Sequence, residues 1–198
     1  MKVAQVINVD FSLRHFLLPL MRGARERGHE VVGLCAEGPL LDLPRAEGFR
    51  IIPVPMARSL NPVAQWRAFR ALFRILRAER FDLVHGHMPI SGLLARIAAF
   101  LARRGGRRPR IAYTCHGFLF NQPGPAWRRS LSLLLERLGG RVTDVFLTVS
   151  AEEAVDARRL HIHPCPVAVG NGRDPAVFHP DPVARAALRA ELGASQGD

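Results

Sequence analysis

The chain has 198 residues, 48% of them hydrophobic and 23% charged, enough for one α/β domain that buries roughly 70% of its unfolded surface. Its glycines and prolines are scattered between periodic segments, which excludes a low-complexity or disordered class. Lys and Arg number 28 against 17 Asp and Glu, a net charge of +11, and Lys2 is the only lysine; arginine forks suit phosphate or carboxylate oxygens and anionic membranes, although an arginine-rich genome accounts for part of the excess.

In chain order, VAQVIN at 3–8 reads as a short apolar strand, too short an apolar run for a signal peptide. Residues 13–27 place Leu13, Phe16, Leu17, Leu20, Met21 and Ala24 at helical spacing, with Arg22, Arg25 and Arg27 elsewhere on the surface, and Gly28 closes that helix. EVVGLC and RIIPVP are the next two strands. A helix over 62–79 carries Trp66, Phe69, Phe73 and Leu76 on one stripe and Arg67, Arg70, Arg74 and Arg77 on a basic stripe beside it. DLVH is a fourth strand, and 91–103 is an apolar helix that its length and Arg96 keep from spanning a bilayer. RIAYTCH is a fifth strand, 125–138 a helix and DVFLTVS a sixth strand. Ser150 then caps a helix in which Glu153 completes an S-x-x-E box, and PVAVGN is the last strand. Cys35, Cys115 and Cys165 are an odd number and lie far apart, so reduced thiols and a cytoplasmic location are expected.

Apolar strands alternating with helices predict an α/β fold, a Rossmann-like doubly wound parallel sheet in a single domain. The pattern breaks after GNGRDPAVFHPDP, where the helical VARAALRAELG has no strand to serve. The expected division is 1–180, a Rossmann-like domain, and 181–198, a linker and the first helix of a missing second domain.

In such a sheet ligands bind beyond the carboxyl ends of the strands, where helix N-termini converge. Asp10, Ser12, His85, His87, His116, Ser150, Glu152 and Asn171 all fall at such ends. Three readings of the histidines compete. A metal set of His85, His87, His116 and Cys115 has a permissive H-x-H spacing but no accompanying carboxylate or cysteine pair. A structural role, capping a helix or bonding a loop carbonyl, suits His85. A site role, hydrogen-bonding a polar substrate or moving a proton near neutral pH, suits His116, because Gly117 permits close backbone approach and FLF at 118–120 would line an apolar lip. The first turn, NVDFSLRHF, lacks G-x-G-x-x-G, which disfavours an NAD site; its Arg14 either meets an anion or is simply exposed. No aromatic-and-basic strand motif of the RNA-binding kind appears, which disfavours nucleic acid. The basic stripe of 62–79 fits anionic headgroups or a solvated face equally well.

Taken together, VDFSLRHFLLPLMRGARERGHEV, FDLVHGHMPISGLLARIAA, YTCHGF, LTVSAEEAV and VGNGRDPAVFHP resemble, over residues 1 to about 180, the N-terminal half of a GT-B glycosyltransferase of family 4, of the capsule and O-antigen type acting on lipid-linked sugars. The resemblance implies retaining, metal-independent hexosyl transfer from a nucleotide-sugar to an acceptor hydroxyl, with no cofactor. It implies that this half holds a saccharide acceptor linked to undecaprenyl diphosphate on the cytoplasmic leaflet, that the donor is bound mainly by the missing half, and that the chain alone is inactive. His116 corresponds to the T-x-H-G histidine that faces the donor sugar and is the expected catalytic residue. Asp10 and Ser12, with Arg14 nearby, correspond to the acceptor-side first loop, His87 to the H-x-P loop, and Asn171, Gly172 and Asp174 to the N-G-x-D turn. Gly117, Ser150 and Glu152 complete the expected substrate-binding set. A glycine pair common after the first strand is absent, as is the glutamate pair of the nucleotide-binding domain. The alternative is a non-catalytic module that binds an anionic diphospholipid or membrane surface; a GT-B epimerase shares the architecture.

Overall fold

Short β-branched and apolar runs separated by about one helix length can pair only in parallel, through crossovers. The computed structural model describes residues 1–56, 61–103, 108–173 and 178–194. In it β1 (Lys2–Val6), β2 (Glu30–Cys35), β3 (Arg50–Pro53), β4 (Leu83–His87), β5 (Arg110–Cys115), β6 (Val145–Thr148) and β7 (Pro166–Ala168) form one parallel sheet. The order is β3-β2-β1-β4-β5-β6-β7. Strand order reverses between β1 and β4, and that junction is where open α/β sheets place their ligands.

The helices are α1 (Asp10–Ser12), α2 (Leu18–Glu26), α3 (Asp42–Ala46), α4 (Pro62–Glu79), α5 (Pro89–Ala102), α6 (Ala126–Arg141), α7 (Ala151–Arg159) and α8 (Pro182–Leu192). On one face of the sheet Ala4, Val6, Val84 and Ile111 pack under Ala68, Leu72 and Leu76 of α4 and Ala95, Ala98 and Ala99 of α5. On the other, Ile7, Val31 and Cys35 pack under Leu13, Leu17, Leu18 and Met21. Burial pushes the Cys35 thiol up to about 12, and all three cysteines are free.

Several local expectations change. The first helix begins at Asp10 and passes through a π-helical stretch, Leu13–Leu17, before α2. The wider turn rotates the face that follows, so Leu18 is buried and Leu20 is 45% exposed, the reverse of a straight α-helical pattern. On α4 the buried stripe is Ala68, Leu72 and Leu76, while Trp66 is exposed and stacks on Phe69, and Phe69 on Phe73, along its edge. The fourth strand extends to His87 and the last ends at Ala168. The short α3 carried no clear periodic signal. Phe118 and Phe120 do not line a lip: they are buried, stacked 4.7 Å apart, in a third cluster with Tyr113, Cys115 and Phe146.

Arg96 is wholly buried, its guanidinium 3.8 Å above the Tyr113 ring. Its Nη2 donates to Glu136 Oε2 at 2.9 Å, and the Tyr113 hydroxyl donates to the other oxygen at 3.3 Å, which ties α5, β5 and α6 together. α8 is capped at both ends, by Asp181 and by Gly193 at φ 64°, yet none of its residues is buried. Among the described residues no helix is long and apolar enough to cross a membrane.

Candidate functional site

β1 pairs Gln5 with His85, and β4 pairs His85 with Ala112 and His87 with Thr114. Because side chains alternate along a strand, Gln5, His85, His87 and Thr114 all project to one face, under the first helical segment. There His85 Nε2 lies 2.8 Å from Thr114 Oγ1. His87 Nε2 lies 2.8 Å from Gln5 Oε1, and His87 Nδ1 lies 3.3 Å from His116 Nε2, on the first residue beyond β5. With the Gln5 oxygen as acceptor, His87 donates from Nε2 and receives the Nε2–H of His116 at Nδ1. His116 then keeps Nδ1 as a free acceptor. Burial lowers the pKa of all three histidines: His85 falls to about 4, and His87, buried beside His85 and His116, lies well below its usual value. The cluster is therefore neutral at pH 7.

The backbone is shaped around this cluster. Gly86 faces α5 so closely that a Cβ there would sit 3.0 Å from Gly92 Cα. Met88, between His87 and Pro89, adopts φ 63° and ψ 154°, a conformation nearly confined to glycine. Such strain costs roughly 1–3 kcal/mol and concentrates at functional sites. It is held by Ser91 Oγ donating to His87 O at 2.6 Å and Gly92 N donating to Met88 O at 2.8 Å. Gly117 has φ +109°, and a Cβ there would meet nothing within 4 Å, so the loop after His116 turns in open space.

The other expected residues are distributed around the same rim. Asp10 opens α1; its carboxylate accepts from Leu40 N at 3.2 Å and fills the space a Cβ on Gly38 would need. A carboxylate at this helix start also opposes a pyrophosphate in the first turn. Ser12 is buried and Arg14 half-buried, with no ion pair among the described residues. Ser150 caps α7, its Oγ accepting from Glu153 N at 3.2 Å, while Glu153 accepts from Val149 N at 3.1 Å. Glu152 is exposed in the first turn, its carboxyl held below the usual range by its own backbone N–H and by Ser150. Asn171 and Gly172 are exposed beyond β7, and Asp174 lies outside the described residues.

Three contributors carried no motif. Gln5 is the one buried polar side chain of β1 and so needs a partner. Phe16 stands 6.3 Å from the His116 ring. Arg173 crosses back from β7 to lie 4.5 Å above Phe16, its Nη1 donating to His15 O at 3.3 Å. That contact brings the segment after the last strand to the histidine rim.

Among the described residues no three His, Cys, Asp or Glu side chains converge as metal ligands. Cys115 stands apart from the histidines, because it faces Tyr113 and Phe146 on the opposite side of the sheet. A depression of 330 Å³ between α6 and α7, lined by Phe120, Arg129 and Leu160 among others, includes none of the candidate residues. At the rim the half-buried His116 thus stands over a buried His87, both imidazoles neutral.

The sequence profile of Glycosyltransferase Family 4 matches residues 15–176. EpsD of Bacillus subtilis (strain 168) is 31% identical over 163 residues, 80% of this chain and 40% of that protein. The UDP-Gal:alpha-D-GlcNAc-diphosphoundecaprenol alpha-1,3-galactosyltransferase of Escherichia coli is 30% identical over 154 residues, 74% of this chain and 38% of that protein. The chain thus spans about two fifths of the length of these curated relatives. Among solved structures, Anabaena Alr3699/HepE in complex with UDP and glucose superposes with a TM-score of 0.67 at 16% identity, covering 98% of this chain and 50% of that one. A UDP-N-acetylglucosamine 2-epimerase superposes with a TM-score of 0.65 at 12% identity, covering 98% and 66%. These two likenesses establish the GT-B type of Rossmann-like fold.

Proposed function

Because the chain belongs to glycosyltransferase family 4, we propose that it is the acceptor-binding half of a retaining glycosyltransferase that moves a hexosyl group from a nucleotide-sugar to a saccharide carried on undecaprenyl diphosphate. The observation that carries this reading is the Gln5–His87–His116 relay at the strand-order reversal, open on its outer side. The acceptor class is supported by the name of the Escherichia coli relative.

In the transfer, the bond from the anomeric carbon to the diphosphate breaks and the diphosphate leaves with the electron pair. The acceptor oxygen bonds that carbon, and its proton passes to the oxygen of the departing diphosphate. Charge grows on the diphosphate and on the sugar carbon, so fixed dipoles aimed at the cleft are what the reaction needs. His116, neutral and held by His87, presents Nδ1 to a sugar hydroxyl of the donor. Asp10 and Arg14 face the acceptor; Ser12 and His87, expected beside them, are buried, and His87, with both ring nitrogens taken, acts by holding His116. Gly117, Ser150, Glu152, Asn171 and Gly172 border the cleft, with Asp174 assigned to the same turn. No metal and no resident cofactor takes part in this proposal, since the nucleotide-sugar is a substrate.

Residues 1–180 are in this reading the acceptor-side domain, and 181–198 lead into the unit that binds most of the donor. The protein works at the cytoplasmic face of the membrane, and residues 1–198 alone do not transfer sugar. Joined to a nucleotide-sugar-binding domain, the chain should transfer sugar to a polyprenyl-diphosphate saccharide, and His116→Ala should cut turnover about 100-fold or more with the fold intact. Turnover unchanged by His116→Ala would refute the assignment. The alternative of a pure lipid-binding module is favoured by the exposed Arg67, Arg70 and Arg74; it predicts acceptor binding with no transfer from the joined protein.

A further inference from the structure

Arg173 stands five residues beyond the end of β7, exposed to solvent, yet its side chain is held in place. The guanidinium lies 4.5 Å above the Phe16 ring, and Nη1 donates to His15 O at 3.3 Å. No carboxylate among the described residues pairs with it, so most of its donors remain open to a ligand. An exposed pair of arginine and phenylalanine gains little beyond the entropy of ordering so long a side chain. Stability alone therefore gives little reason for a cation at this point.

Phe16 links this cation to the reacting end of the rim. Its ring is 6.3 Å from that of His116 and 4.5 Å from the guanidinium. Those two steps match the length of one pyranose ring with a phosphate on its anomeric oxygen. A sugar whose hydroxyl reacts beside His116 would thus bring its own phosphate to Arg173. The start of the first helical segment cannot take that group, because the Asp10 carboxylate stands there. Five residues further on, at His15, the charge reverses: Arg173 crosses over, and the half-buried Arg14 precedes it without an ion pair among the described residues. A planar fork fixed on an aromatic ring is suited to phosphate oxygens, which it can meet with two parallel N–H groups.

We propose that Arg173, seated on Phe16, binds the diphosphate of the acceptor and so selects acceptors that carry one. The assignment to the acceptor rests on the proposed function; the binding of a diphosphate ester by Arg173 does not. The donor carries the same chemical group, and the experiment separates the two.

Methyl diphosphate titrated into the 198-residue chain should move the NMR signals of the Arg173 guanidinium and of the Phe16 and His116 rings. Arg173→Gln should weaken its binding about tenfold or more, the loss of charge-assisted hydrogen bonds. Arg173→Lys should recover only part of that, since it keeps the charge and loses the fork. Arg158→Gln, exposed on α7, should change nothing. In the protein joined to a nucleotide-sugar-binding domain, Arg173→Gln should raise KM about tenfold for a saccharide acceptor carrying an alkyl diphosphate. It should leave KM for the methyl glycoside of the same saccharide, and KM for the nucleotide-sugar, where they were. Undiminished methyl diphosphate binding in Arg173→Gln would overturn the proposal, as would an equal loss in Arg158→Gln, which would mean a general surface charge. A rise in KM confined to the nucleotide-sugar would overturn the assignment to the acceptor. If methyl diphosphate binds through Arg173 while the joined protein transfers no sugar, the diphosphate site stands and the transferase reading fails. If the joined protein transfers sugar and Arg173→Gln changes no KM, the transferase reading stands and this proposal fails.

Discussion

His87 on β4 and His116 just beyond β5 share a hydrogen bond of 3.3 Å, and the second ring nitrogen of His87 is taken by Gln5 at 2.8 Å. One amide oxygen in β1 thereby selects the tautomer of a ring two strands away. Gln5→Leu should orphan the buried Nε2–H of His87, at a cost of about 1–3 kcal/mol in unfolding free energy. It should also free His87 to carry its proton on Nδ1. Nitrogen-15 NMR of the imidazoles reads this out: the native chain should show Nε2–H in both rings and the variant a changed His87. An unaltered His87 pattern in the variant would mean that Gln5 does not set it.

The same cluster sets the response to acid. Folded His85 has a pKa lowered from 6.5 to about 4, and His87 and His116 are lowered too. Between these values the unfolded chain binds more protons than the folded one, so the stabilisation is complete above about pH 6.5 and is lost as the pH falls toward 4. His85 alone accounts for something on the order of 3 kcal/mol across that window. Urea midpoints measured from neutral pH downward should fall, and His85→Gln should flatten the slope.

Arg96 and Glu136 should be costly to separate and cheap to remove together. Glu136→Ala leaves a guanidinium buried over Tyr113 without its carboxylate and should cost about 3–5 kcal/mol. Arg96→Met with Glu136→Leu should recover most of that loss in a denaturant titration. A double-variant loss equal to the sum of the losses from Arg96→Met and Glu136→Leu alone would show that the ion pair itself carries no coupling.

Gly140 is a matter of space. A Cβ there would lie 1.9 Å from Ile162 O, a backbone atom that cannot swing aside. Gly140→Ala should therefore lower stability by at least about 1–3 kcal/mol despite the better helix propensity of alanine. Gly124→Ala, with nothing within 4 Å, should be neutral.

Parallel pairing, the doubly wound crossovers and the grouping of histidines at one rim were legible because they follow from apolar runs, crossover length and the rule for open sheets. The π-turn at Leu13–Leu17 was not: it shifts one residue of register inside a helix, and the one nearby breaker, Pro19, stands just after it in the first turn of α2. Phe118 and Phe120 read as a surface lip because local pattern cannot tell an apolar loop that faces solvent from one folded under Phe146. Gln5 and Arg173 join the rim through contacts spanning 82 and 158 residues, and no local pattern encodes partners so distant. The capping of α7 by Ser150, wholly local, was plain in four residues.

The position of β1 also orders assembly in time. Its pairing with β2 is completed within the first 35 residues, whereas its other edge waits for β4, whose last residue is His87. During synthesis the chain must therefore carry a three-stranded fragment with an unpaired central edge until some eighty residues have followed β1, a loop whose closure is entropically dear and slow. An emerging nascent chain is most exposed to misassociation in that interval, and the histidine cluster, which needs both strands, forms only once it ends.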